Sequence, residues 1–166
     1  MKKNFKRRDF IKKAGVAAAA ATAVSSFPAP AIAADRLEVN CVGTWPRDYP
    51  GLGAGGQAVS QRISDLSDGR IVVNHFSGGE RVGPLDVFTE VSSGNAQMYD
   101  SADYYWVGQH PGWGFFAAVP FGMIATEING WIRHGGGQEL WDELGDEFGL
   151  KNFMAGNSGV QMGGWF

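Results

Sequence analysis

Between Arg36 and Tyr99 the apolar residues switch repeat length four times, and this alternation restricts the fold more than any other feature of the chain. Leu37, Val39 and Cys41 alternate with polar neighbours, the period-two pattern of a strand over 36–42 with one buried face. Val59, Ile63 and Leu66 recur at helical spacing, so 54–66 reads as a helix, and Asp68-Gly69 supplies residues suited to a left-handed cap. Ile71-Val72-Val73 centre a second strand over 70–76. Gly83-Pro84 then opens a helix with proline in its first turn, where a missing N–H does no harm. Val87, Phe88 and Val91 form its inner face, and Gly94 ends it. Ala96 to Tyr99 reads as a third strand. The order β, α, β, α, β predicts an α/β fold with a mainly parallel sheet covered by helices on both faces.

Farther on, 127–134 and 138–148 read as helices. In the second, Leu140, Trp141, Leu144 and Phe148 share one side, and Asp142, Glu143, Asp146 and Glu147 form a solvated face. Residues 151–155 and 160–162 read as strands separated by the turn Gly156-Asn157-Ser158-Gly159. The chain stops at the apolar, aromatic Met162-Gly163-Gly164-Trp165-Phe166, whereas domain ends are usually polar and exposed, so a fragment cut in mid-fold is expected.

Ahead of the first strand, Arg7-Arg8-Asp9-Phe10-Ile11-Lys12 precedes the apolar stretch Ala14 to Val24 and the small-x-small pattern Ala31-Ile32-Ala33. The stretch falls short of the roughly 20 residues a membrane-spanning helix needs, so 1–33 reads as a removable export signal. Its arginine pair and alanine-rich core resemble a twin-arginine signal, which places the mature chain in the periplasm. Without that segment the chain keeps 7 of its 14 Lys and Arg and 16 of its 17 acids, a net charge of −9. Nucleic-acid binding needs clustered cations on phosphates, and no basic patch exists, so that class of partner is excluded. A lone cysteine, Cys41, has no partner for an internal disulfide and reads as a buried strand residue. Of 25 glycines, 24 lie after residue 33, which favours many tight turns over a helical bundle.

Gly51-Leu52-Gly53-Ala54-Gly55-Gly56 satisfies G-x-G-x-x-G, but the first strand ends near Val42, too early for a tight strand-to-helix turn. No acid follows the second strand at Asn74-His75-Phe76 to hold a ribose. A helix start fed by glycines can still receive an anion such as a carboxylate. His75, His110 and His134 are scattered without metal-ligand spacing, and no G-x-S-x-G turn occurs. What remains is a set of aromatic and amide residues, Trp45, Tyr99, Tyr105 and Gln161 among them, suited to a mostly apolar pocket with a few hydrogen-bonding groups.

Gly78-Gly79-Glu80, Gly94-Asn95-Ala96-Gln97-Met98-Tyr99, Tyr104-Tyr105-Trp106, Pro120-Phe121-Gly122-Met123 and Gly156-Asn157-Ser158-Gly159-Val160-Gln161-Met162-Gly163-Gly164-Trp165-Phe166 carry a resemblance. The chain resembles the solute receptors of tripartite ATP-independent periplasmic (TRAP) transporters, in the branch that binds 2-oxo acids and related monocarboxylates. The resemblance implies a periplasmic-binding-protein-like fold of the class II type, with 34–166 as the N-terminal lobe of two. It implies capture of a small organic carboxylate, delivery to integral membrane subunits, and no catalysis. In the family an arginine of the second lobe meets the substrate carboxylate, and here it would fall after Phe166. Gln161 corresponds to a glutamine that reaches both the acid and a cation such as Na⁺. Tyr99 and Tyr105 lie in the segment that offers a phenol to the ligand, with no choice between them, and Trp45 is a wall of the cleft. No cofactor other than that cation is expected, and a homodimer is left open. Two rivals stand beside this reading, an exported enzyme and a sensory module of the same fold.

Overall fold

Leu37–Gly43 forms β1, the central strand of a three-stranded sheet. It is flanked by β2, Ile71–Phe76, and β3, Met98–Asp100, and both pairings are parallel. The computed structural model describes residues 36–159. The expected signal 1–33, the expected strand 160–162, Gln161 and Trp165 lie outside the described residues. The parallel sheet and flanking helices agree with the α/β expectation.

Register explains which side chains go where. Cys41 pairs with His75 and Met98, while Val42 pairs with Phe76 and Tyr99. Successive strand residues face opposite ways, so Cys41, Gly43, His75 and Asp100 share one face and Val42, Phe76 and Tyr99 the other. The first face carries α1, Leu52–Leu66, whose Ser60 hydroxyl lies 3.0 Å from His75 Nδ1. The second carries α2, Val87–Ser92, with Phe88 tilted against Tyr99 at 6.4 Å between ring centres. From β1 the chain moves to one side to make β2 and to the other to make β3. Crossovers of one hand therefore put α1 and α2 on opposite faces.

Beyond β3 the backbone forms two 3₁₀ segments, Asp103–Trp106 and Pro111–Phe116, then α3, Ala125–His134, and α4, Gly137–Asp146. Their aromatic residues complete the core on the α2 face. Trp113 and Val87 are fully buried, and Phe88 touches the rings of Trp106, Trp113 and Phe148 at 5.2, 5.7 and 5.4 Å.

Local rules account for most boundaries. Asp68 and Gly69 both adopt positive φ after α1, and Gly69 N–H bonds the Ser64 carbonyl at 3.0 Å, the left-handed stop expected of that pair. Pro84 does not begin α2: residues 84–86 form a turn closed by Asp86 N–H on Gly83 O, and the helix starts at Val87. Leu140 is 53% exposed, so the inner side of α4 is Trp141 and Leu144 without it.

Residues 151–155 pair with no strand among the described residues, contrary to the strand expectation. Their polar groups go to α4 instead. Leu150 N–H bonds Gly145 O at 2.9 Å, Gln138 donates to the Asn152 carbonyl at 2.9 Å, and Lys151 pairs with Asp142.

Candidate functional site

In an open parallel sheet, ligands bind outside the carboxyl ends of the strands where the strand order reverses direction. Here that point lies between β1 and β3, because their outgoing connections diverge. The two strand ends are tied at the junction: Thr44 N–H donates to Asp100 O at 3.0 Å, and the hydroxyls of Thr44 and Ser101 meet at 2.6 Å. Above it opens a groove of about 2250 Å³, whose wall includes Trp45, Tyr99, Asp100, Ser101, Asp103 and Tyr104. The segment after α4, residues 149–159, contributes to its lining as well.

The acids in this wall are unusual. Asp100 points at α1, where Gly56 makes room for it: a Cβ at Gly56 would lie 1.8 Å from Asp100 Oδ2. Burial without a compensating donor pushes its carboxyl up from 3.8 to about 6. Asp103 is 6% exposed and is lifted to about 6 by burial, although Trp141 Nε1 donates to it at 2.6 Å and the Tyr99 hydroxyl at 3.4 Å. The same neighbourhood drives the Tyr99 phenol far above its ordinary value, burial first and the Asp103 charge second. Tyr104, bonded to Tyr105 and partly covered, rises to about 12.

Beneath the groove, burial raises the Cys41 thiol to about 11 and lowers His75, so the thiol is not a nucleophile and the imidazole is held neutral. Among the described residues no group of three His, Cys, Asp or Glu side chains is arranged to hold a metal ion.

Cations near the groove are occupied. Arg47, on the loop after β1, gives both arms of its guanidinium to Glu80 at 2.7 and 2.6 Å, and Glu80 also accepts from Ser77 N–H at 2.9 Å. That clamp holds Glu80 down at about 2 and joins the loops after β1 and β2. Lys151, the cation among the described lining residues, is paired with Asp142. The glycine-fed start of α1 is not an open anion seat. Its loop folds back so that Leu52 N–H bonds Pro50 O, Ala54 N–H bonds Tyr49 O, and Gly55 N–H bonds Gly51 O.

Of the residues expected from sequence, Trp45 and Tyr99 line the groove. Tyr105 is 40% exposed and is not in the lining, whereas its neighbour Tyr104 is. Gln161 lies outside the described residues. Asp100, Ser101 and Asp103 were not foreseen. The signal available was their position at or just beyond the carboxyl end of the third strand, the place a parallel sheet reserves for ligands.

A second cavity of about 520 Å³ lies among Phe115, Phe116, Met123, Trp131, Leu140 and Leu144. Its lining is mostly apolar, which suits packing and not an anion.

Comparison with known proteins gives the family of the chain. The family model for bacterial extracellular solute-binding proteins, family 7, matches residues 42–165. A monocarboxylate 2-oxoacid-binding periplasmic protein of Nostoc is 34% identical over 123 residues, 74% of this chain and 34% of that protein. Among solved structures, a TRAP periplasmic solute-binding protein of Pseudoalteromonas atlantica with bound sodium and pyruvate is 39% identical, with a TM-score of 0.76. One from Colwellia psychrerythraea with bound calcium and pyruvate is 37% identical, with a TM-score of 0.75. The match to each covers 79% of this chain and 40% of the solved one. The chain thus spans between a third and two fifths of the length of these relatives.

Proposed function

The chain belongs to the bacterial extracellular solute-binding proteins of family 7, and on that premise we propose that the complete protein is a receptor for a small organic acid. The acid is a 2-oxo acid or a related monocarboxylate, captured in the periplasm after removal of the signal 1–33 and handed to the membrane subunits of a TRAP transporter. The observation that carries this reading is the groove at the point where β1 and β3 diverge, with Trp45 and Tyr99 in its wall. Relatives with bound pyruvate and bound sodium or calcium share this part of the fold.

Affinity on this reading comes from closing a second lobe over the groove, which removes water from the carboxylate and leaves it among fixed donors. Arg47 beside the groove and Lys151 in its wall are already paired, to Glu80 and to Asp142, and on this reading the charge of the acid is met by a group beyond Gly159. Gln161 offers a carbonyl oxygen to a hard cation and an amide N–H to the acid. Of the two tyrosines expected from sequence, Tyr99 is the one in the groove wall and adds its phenol, and Trp45 shields the ligand from solvent. The receptor makes and breaks no bond; its work is closure and release, as a monomer or as a homodimer.

A thermal-shift panel of pyruvate, 2-oxobutyrate, lactate, succinate and a sugar acid, each with and without Na⁺, tests the proposal on the complete protein. A ligand that binds only the folded state raises its melting temperature. The expected result is a shift with at least one monocarboxylate that grows when Na⁺ is present. No shift with any acid, or turnover of any of them, would overturn the proposal.

A further inference from the structure

β3 leaves one edge of the sheet open, and the register says which groups that edge presents. Leu37 N–H bonds Arg70 O at 2.8 Å, so odd-numbered residues of β1 turn their N–H and C=O to β2 and even-numbered ones turn theirs to β3. Thr44 N–H accordingly bonds Asp100 O at 3.0 Å, which makes Met98 and Asp100 the residues of β3 that face β1. Tyr99, between them, turns its N–H and C=O the other way, where no strand lies among the described residues. Half-buried backbone groups of this kind call for a partner. The surroundings fit one class of partner. Val59 and Ile63 of α1 and Val91 of α2 line the same groove as Met98 and Tyr99, although the two helices cover opposite faces of the sheet. Both helices therefore overhang the open edge. Residues 116–125 and 149–159 line the rest, and 117–124 contain no helix or strand of their own. The groove measures about 2250 Å³, well beyond the roughly 300–1,000 Å³ of a small-molecule pocket.

An open edge with apolar side chains above and below it is a slot for a further strand, since a strand inside such a sheet is buried on both faces. We propose that an extended segment of the complete chain, following Phe166, fills this slot and pairs with β3 through the N–H and C=O of Tyr99. Its side chains are apolar on both faces, meeting Val59 and Ile63 on one and Val91 on the other. The acid then keeps only the end of the groove beyond the strands, beside Trp45 and Ser101. The length of the relatives supports this occupant: the match covers 40% of each solved chain, so the larger part of a complete chain is available to supply the strand. A folded second copy could enter between α1 and α2 only by giving up a strand of its own. This inference goes beyond the acid-binding reading and does not depend on it.

Hydrogen exchange of the complete protein without any acid, read residue by residue by NMR, tests this. Val42 N–H, which faces β3 from the central strand, is the internal reference. Tyr99 N–H is expected to exchange within about tenfold of it, because strands of one sheet open as a unit. Faster exchange at Tyr99, the behaviour of an open edge, overturns the proposal. Cross-strand contacts of the Tyr99 N–H in the same spectra name the occupant. A residue after Phe166 is expected, and one within 36–166 overturns the proposal. Protection of Tyr99 should be unchanged on dilution and on addition of pyruvate. Protection lost on dilution assigns the slot to a second copy, and protection that appears only with pyruvate assigns it to the ligand; either overturns the proposal. Because the exchange is read without acid, an empty slot leaves the receptor reading standing, and a protein that binds no acid leaves the slot to be judged by Tyr99 alone.

Discussion

Gly55 and Gly56 are neighbours in α1 and should respond to alanine with opposite signs. A Cβ at Gly55 meets nothing within 4 Å, whereas one at Gly56 would lie 1.8 Å from Asp100 Oδ2, 2.5 Å from its Cγ and 3.2 Å from its Cβ. Each exchange gains about 1 kcal/mol from removing a glycine inside a helix. At Gly55 nothing opposes that gain, so Gly55→Ala should stabilise by about 1 kcal/mol. At Gly56 either the buried carboxyl must leave its place or α1 must lift from the sheet. Overpacking of this kind costs about 1–3 kcal/mol. Because Asp100 is short and its own Cβ is already near, rotation cannot clear the whole contact, which puts the cost at the upper end. The net effect is a loss of about 2 kcal/mol. Urea unfolding of the complete protein reads both variants, with an unchanged slope showing that stability alone has moved. In an Asp100→Ala background, Gly56→Ala should recover most of the helix gain. Gly56→Ala at or above wild-type stability, with Asp100 in place, would refute the packing of α1 on the end of β3.

Other expectations follow from the same geometry. Asp100 titrates at about 6 when folded against 3.8 for a free side chain, so the folded state holds the proton more tightly. Its burial is unfavourable above about pH 6, and that cost disappears as pH falls through the window to below 4. Asp100→Asn should accordingly stabilise the protein by about 2–3 kcal/mol at pH 7 and leave it nearly unchanged at pH 4; an equal effect at both, measured by denaturant unfolding, would contradict this. Phe88→Ala empties the centre of the aromatic cluster and should cost about 3–5 kcal/mol, read by the same unfolding assay. Gln161→Ala should weaken binding of the acid without lowering the melting temperature of the free protein, and unchanged affinity in calorimetry would remove Gln161 from the site.

The strand and helix order through β3 was legible because each element carries its own period, and Asp68-Gly69 carries its own stop. Where the expectation failed, a distant partner had the deciding vote. Residues 151–155 have a strand-like pattern, but the Asn152 carbonyl is taken by Gln138 and the Lys151 ammonium by Asp142. The start of α1 looks open to anions, but the preceding loop turns back and takes its N–H groups. Trp45 and Tyr99, expected from the aromatic set and the family resemblance, both line the groove. Asp103 was not, since a lone acid in a loop says nothing until Trp141, 38 residues away, is seen to donate to it.

By itself the sequence determined the alternation of strands and helices through the third strand and a family likeness long enough to be specific. Those properties are local or additive, so they can be read one segment at a time. Tertiary structure alone decided that Asp100 is half-buried against α1, that Arg47 is spent on Glu80, and that the Tyr99 hydroxyl meets Asp103. Each depends on which groups a parallel sheet brings together after crossovers of tens of residues, and a side chain's charge and hydrogen-bond direction are set by those neighbours, not by its own identity.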